Sequence, residues 1–178
     1  KDAGLARLNI SVDSLKPNRF RELTRTGDLE LWHQGIQAAK QARFTKLKLN
    51  AVILDGFNDD EVLDLARFAV DNEMDISFIE EMPLGVISSH ERSATQISSA
   101  HIREQLDSEF SLVDSVETTG GPSRYVHIAN SSSKIGFISP MSNNFCESCN
   151  RVRMTAEGRL LLCLGNEHSM DLRSVMRG

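Results

Sequence analysis

Lys46-Leu47-Lys48-Leu49-Asn50-Ala51-Val52-Ile53-Leu54 alternates residue by residue, with Leu47, Leu49, Ala51 and Ile53 on one side and Lys48, Asn50 and Val52 on the other. Successive side chains of a strand point to opposite faces, so the pattern predicts a strand with one apolar and one largely polar face. The flanking segments decide the kind of sheet. Upstream, Leu5 to Val12 repeats the alternation, setting Leu8, Ile10 and Val12 against Asn9, Ser11 and Asp13. Between the two runs, Pro17 sits where a first helical turn tolerates proline, and Glu30 to Phe44 carries a mostly small apolar helical face. Downstream, Asn58 and Glu61 stand at capping-box spacing, and the carboxylates of that turn read as structural. Asp60 to Asn72 repeats Val62, Leu65, Ala66 and Ala69 at helical spacing, and Asp75 to Met82 returns to a strand. Strands each followed by a helix argue for parallel βα units, so residues 3 to 85 read as βα-βα-β within an α/β architecture.

In such a sheet the polar sides point into a barrel or crevice. Ser11 is then either a hydrogen-bonded interior residue or a binding group. Lys48, in mid-strand opposite an apolar set, must reach water as an edge-strand guard or meet an anion. A hydrophilic stretch from Ser88 to Ser93 marks a boundary or long loop, which divides the chain into 1–85 and 86–178. After it, Ser98 or Ser99 caps a helix running to about Phe110. Strands are expected at Leu112 to Thr118, Tyr125 to Ile128 and Ile135 to Ile138, separated by Gly120-Gly121-Pro122 and Asn130 to Ser133.

All three cysteines lie near the end, as Cys146-x2-Cys149-x13-Cys163. A hairpin of Val152 to Met154 and Leu160 to Cys163, turning at Ala156-Glu157-Gly158, returns Cys163 toward the other two. Three thiolates underfill tetrahedral zinc, whereas a [4Fe–4S] cluster on three cysteines keeps one iron open to a non-protein ligand. His168 supplies the alternative, a Cys3His zinc centre in an interaction module without chemistry. A thioredoxin-like redox pair would open a helix beside a βαβ unit, which Pro140 to Arg153 does not supply. An odd count of three excludes a closed disulfide framework and points to a reducing, cytoplasmic setting. Arg151 and Arg153, just past Cys149, share one strand face and invite an anion beside the metal unless they pair with Glu147 or Glu157.

Ile135-Gly-Phe-Ile-Ser-Pro140, Phe145-Cys-x-x-Cys-Asn-Arg-x-Arg153, Thr155-Ala-Glu-Gly158 and Cys163-Leu164 closely resemble the C-terminal cluster region of the GTP 3′,8-cyclase family. These are radical S-adenosylmethionine enzymes of molybdenum cofactor biosynthesis. Leu8 to Leu15, Lys46 to Val52 and Phe78 to Gly85 are similar to the same family in the same order, so the resemblance covers nearly the whole chain. It implies a radical S-adenosylmethionine (β/α) barrel, incomplete here, followed by a smaller α+β cluster-binding region. It further implies that Cys146, Cys149 and Cys163 hold a [4Fe–4S] cluster whose open iron takes the purine of GTP. By the same resemblance Lys48, Arg151, Val152 and Arg153 contact GTP, while Ser11 and Met82 contact S-adenosylmethionine from neighbouring barrel strands. The implied reaction converts GTP to (8S)-3′,8-cyclo-7,8-dihydroguanosine 5′-triphosphate and draws on an electron donor; a homodimer is compatible with it. The family's CxxxCxxC motif, which holds a second cluster, is absent before Cys146, and the C-terminal glycine pair is missing. The chain therefore reads as a fragment of a longer protein, inactive by itself. Another radical S-adenosylmethionine enzyme with an auxiliary cluster, such as a peptide-maturation enzyme, is the remaining alternative, and it would not require the Arg151/Arg153 pair.

The 178 residues are 40% hydrophobic and 25% charged with a net charge of −5, the balance of an ordinary globular protein. Around the cysteines Arg151, Arg153, Arg159 and Arg173 alternate with Glu147, Glu157, Glu167 and Asp171, which gives no basic face for a nucleic-acid backbone. The apolar run from Leu160 to Leu164 is far below a membrane span.

Overall fold

The computed structural model describes residues 3–44, 46–82, 95–117, 120–149, 151–163 and 168–178. The division expected at 85/86 and the hydrophilic stretch 88–93 fall outside them. In chain order the elements are β1 (Arg7–Ser11), α1 (Pro17–Thr24), α2 (Leu29–Gln41), β2 (Lys46–Ile53), α3 (Val62–Asp71) and β3 (Asp75–Glu80). There follow α4 (Ser99–Asp107), β4 (Leu112–Asp114), β5 (Arg124–Ile128), β6 (Lys134–Ile138), β7 (Arg153–Met154), β8 (Arg159–Leu161), β9 (Ser169–Asp171) and α5 (Leu172–Arg177). Short 3₁₀ turns occupy Asp59–Glu61 and Cys146–Ser148.

Six strands form one sheet in the order β1-β2-β3-β6-β5-β4. The pairs β1–β2, β2–β3 and β3–β6 are parallel, and β6–β5 and β5–β4 antiparallel. The strands after α4 thus extend the sheet begun by the βα units. Leu47, Leu49, Ala51 and Ile53 of β2 are buried, as the alternation predicts, together with Ile76 and Phe78 of β3 and Ile135 and Phe137 of β6. They form one core with Ile36 and Ala39 of α2, Leu65, Ala66 and Ala69 of α3, and Ile102 and Leu106 of α4. Burying each Leu, Ile or Phe fully is worth about 1.5–3 kcal/mol, so this seam holds the molecule together.

The register also fixes the other face. Asn9 pairs with Lys48, Asn50 with Ser77, Ser77 with Gly136 and Gly136 with Tyr125. Residues in register share a face, so a polar band crosses the sheet. Lys48 is therefore no edge-strand guard, because β2 lies between β1 and β3.

Other local expectations shift. The second helix starts where the Asp28 side chain accepts from the Glu30 and Leu31 amides, and it ends before Phe44 because Arg43 adopts φ 56°, which a right-handed helix cannot continue. The capping box does not form. Asn58 is fully buried, its Oδ1 accepts from Leu54 N at 2.7 Å, and its amide donates to the carbonyls of Asp13 and Val52 at 2.6 and 2.9 Å. Glu61 instead turns inward to accept from Ser14 Oγ and Leu15 N, both at 2.7 Å, and from Arg19. The expected strand Leu112 to Thr118 stops at Asp114. The terminal stretch from Ser169 first pairs as β9 and becomes helical where the Asp171 carboxylate caps the Arg173 and Ser174 amides. Among the described residues no helix is long and apolar enough to cross a membrane.

Candidate functional site

The polar band floors a cleft of about 240 Å³, lined from β1 by Arg7 and Asn9, from β2 by Lys46, Lys48 and Asn50, and across the sheet by Tyr125, Lys134 and Arg151. Cations outnumber the one lining carboxylate, Asp75, so the cleft favours an anion. Half-buried Lys48 donates from Nζ to Tyr125 Oη at 2.8 Å, and its ammonium lies 5.0 Å from the centre of that ring. The phenol holds the ammonium without neutralising it, leaving two N–H donors for a ligand. Lys134 is ion-paired to Glu117, which holds the lysine above and the carboxyl below their ordinary pKa values; its own amide donates to Asp75 Oδ1 at 2.9 Å. Asn50 Oδ1 is buried with no hydrogen-bond partner among the described residues. An acceptor left unpaired costs about 1–3 kcal/mol, so a donor from a bound molecule would be favoured there.

Gly136 makes the floor possible. The Ser77 and Ser123 hydroxyls meet at 2.8 Å beneath it, and a Cβ at 136 would fall 2.1 Å from Ser123 Oγ and 2.3 Å from Ser77 Oγ.

Of the residues singled out from the sequence, the cleft brings together Lys48 and Arg151. Arg153 and Val152 do not line it; both are exposed, and only Arg153 belongs to β7, so the two arginines do not share a strand as expected. Ser11, exposed at the end of β1, accepts from Trp32 Nε1 through its carbonyl at 3.0 Å. Half-buried Met82 follows β3, so Ser11 and Met82 belong to strands separated by β2 rather than to neighbours. Below Ser11, Asp13 Oδ1 accepts from Val52 N at 2.8 Å; burial pushes this carboxyl above its ordinary range against that hydrogen bond.

The cysteine turn is shaped locally. Asn144 Oδ1 accepts from Cys146 N at 2.7 Å, and Cys149 N donates to Cys146 O at 3.2 Å, closing the 3₁₀ turn. The hairpin forms as expected, with Arg153 opposite Leu161 and Met154 opposite Leu160 around Gly158, whose φ of 83° suits the turn. It gains a third strand, β9, and a hydrogen bond from Leu162 N to His168 O at 3.3 Å brings His168 alongside. Cys146 and Cys149 are exposed, Cys163 is partly covered, and no disulfide joins them. Among the described residues no three Cys, His, Asp or Glu side chains are gathered as a metal-holding group, so the hairpin returns Cys163 without assembling the three thiols. Their chemistry nonetheless suits an iron–sulfur cluster: three soft donors, two on one turn and one two residues past the end of β8.

Sequence reasoning missed Tyr125 as the partner of Lys48 and Glu80 as a buried carboxylate. Only Glu80 carried a signal, since it falls in the same alternation as the apolar Ile76 and Phe78.

Residues 74–178 match the family model described as Molybdenum Cofactor Synthesis C, and residues 1–69 match that of the Radical SAM superfamily. Among curated proteins, a GTP 3′,8-cyclase of Pseudomonas entomophila (strain L48) is 62% identical over 177 residues, covering 99% of this chain and 53% of the relative. The corresponding proteins of Pseudomonas putida (strain W619) and Pseudomonas fluorescens (strain Pf0-1) are 61% and 56% identical with the same coverage. The chain thus spans about half the length of the curated relatives it matches.

Proposed function

Because the chain belongs to the Molybdenum Cofactor Synthesis C family, we propose that it is the GTP-holding part of a GTP 3′,8-cyclase, a radical S-adenosylmethionine lyase of molybdenum cofactor biosynthesis. The observation that carries this reading is the shared cleft: Lys48 from the parallel sheet and Arg151 from beside the cysteine turn line one cationic cavity. In this reading the triphosphate lies against Lys48 and Arg151, whose ammonium and guanidinium bind phosphate oxygens through charge-assisted hydrogen bonds. Arg153 and Val152 flank the nucleotide from the hairpin. Ser11, the last residue of β1, and Met82, two residues past β3, line the S-adenosylmethionine groove, in line with barrel enzymes that bind at the C-terminal ends of their strands.

Cys146, Cys149 and Cys163 would hold a [4Fe–4S] cluster, which when bound supplies an open iron to anchor the purine. The residues of this chain would then fix GTP at two points, metal and phosphate, so that the ribose is presented in one orientation. A second cluster, held elsewhere in the intact protein, an electron donor and a cytoplasmic setting complete the reading, and a homodimer is compatible with it.

Two measurements test it. Anaerobically reconstituted protein should take up about four irons and matching sulfide at the three-cysteine site, and Cys163→Ser should lose them. Lys48→Met and Arg151→Met should each weaken GTP binding by about 1.5–3 kcal/mol, as expected for a hydrogen bond to a charged group. The hydrogen bond that sets His168 beside the strand leading to Cys163 favours one second reading, a Cys3His zinc centre. Stoichiometric zinc without iron uptake, lost on His168→Ala, would establish that reading instead.

A further inference from the structure

Glu80 ends β3 and is only 1% exposed. A carboxylate so enclosed is tolerable only if donors surround it, and four converge on it. Oε1 accepts from Ser99 N at 2.7 Å and Ser142 Oγ at 2.5 Å; Oε2 accepts from Ser142 N at 2.9 Å and Met141 N at 3.1 Å. Burial pushes the carboxyl up, but the donors of Ser142 and Ser99 outweigh it and hold the group below its ordinary range, so it is ionised at neutral pH. The donors come from two places. Ser99 opens α4, and Met141 and Ser142 form the turn by which the chain leaves β6. Ser139 Oγ also donates to Ser99 Oγ at 2.7 Å, so both segments are tied at one point.

Along the chain this point is close to residues of both ligand sites of the reading above. Downstream of the turn, Asn144 receives the Cys146 amide and the cysteine turn begins. On the other side, Glu80 is two residues before Met82. We propose that Glu80 is a positioning residue that seats the cysteine turn on the strand leading to Met82, and so sets the purine-binding metal in register with the S-adenosylmethionine groove. The inference rests on Cys146, Cys149 and Cys163 holding the cluster. Hydrogen abstraction from a bound nucleotide is sensitive to small displacements: misplacement by about 1 Å can cost about a hundredfold. A neutral side chain at 80 could continue β3, but it would not accept all four donors, since a glutamine would turn an N–H toward one pair of them.

The test uses the intact, anaerobically reconstituted protein with Glu80→Gln and Ser142→Ala. Two quantities are read per folded, iron-loaded molecule, the GTP-induced change in the electron paramagnetic resonance signal of the cluster and the ratio of 5′-deoxyadenosine to cyclised product; a third, amide exchange at Met141 and Ser142, is read in folded, metal-free protein. Glu80→Gln should alter the GTP-induced signal, speed exchange at both amides, and raise 5′-deoxyadenosine per product by roughly tenfold as abstraction and cyclisation lose register. Ser142→Ala, which removes one donor from an exposed residue, should move all three in the same direction by less. A Glu80→Gln protein with wild-type signal and coupling would overturn the proposal, as would losses that vanish when scaled to folded molecules. If Glu80→Gln does not fold, unchanged coupling and signal in Ser142→Ala overturns it. Failure of the wild-type protein to bind iron at the three cysteines would bring down the reading beneath, a result distinct from a loaded wild type matched by its variants.

Discussion

The six-stranded and three-stranded sheets are held by different means. In the larger, every second residue of β2 is buried, and β3 and β6 add Phe78 and Phe137 to the same core. In the smaller, no residue of β7, β8, β9 or α5 is buried, and Val152 and Met154 are 56% and 69% exposed. One region therefore owes its order to apolar burial and can hold residues such as Lys48 at fixed positions. The other has strands of two or three residues without a core of its own, and the three cysteines lie in the turn before β7 and just past β8. Elements that short gain most from an external cross-link, and metal binding to thiolates releases free energy that serves as folding free energy.

That contrast can be broken at several points. Phe78→Ala should cost about 3–5 kcal/mol, the range for removing a buried aromatic side chain, read as a shift in urea midpoint at unchanged slope. Glu61→Gln comes next. This 1%-exposed carboxylate accepts from Ser14, Leu15 and Arg19, and leaving one donor unmatched should cost about 1–3 kcal/mol. A smaller change of opposite sign is expected for Asp13→Asn. The folded-state pKa of Asp13 is raised above its unfolded value, so the folded protein binds its proton more tightly. Stability from this group is full below the ordinary carboxylate pKa and falls as pH rises through the elevated one. The variant should therefore match wild type at low pH and exceed it near pH 7; equal midpoints at both pH values would show the carboxyl is not strained. The smallest effects belong to the hairpin: in metal-free protein, Val152→Ala and Cys163→Ser should stay within about 0.5 kcal/mol. Hairpin losses as large as that of Phe78→Ala would erase the distinction between the two regions.

The sequence made the sheet legible where one period governs it. The alternation of Lys46 to Ile53 matches its burial residue for residue, and Gly158 marked the hairpin turn. What failed to read was pairing at long range. Asn58 and Glu61 show capping spacing, yet their side chains serve Leu54, Asp13 and Ser14, because a buried amide and carboxylate take whichever donors and acceptors the fold delivers. The tie between Lys48 and Tyr125 joins β2 to β5, and nothing near either residue announces the other. At the site, residue types disclosed a cation and thiols; which cations face one another depends on crossing the sheet, and that separated Arg151 from Arg153.

Gly136 gives the floor of the cleft a genetic consequence. Any other amino acid there would drive its first carbon into two serine hydroxyls that already touch, in the strand that feeds the cysteine turn. The position is a closed column beside exposed neighbours such as Arg124 and Ser132: any side chain at 136 must first push both hydroxyls aside. A single-codon lesion could thus silence the site without altering one group that touches a ligand.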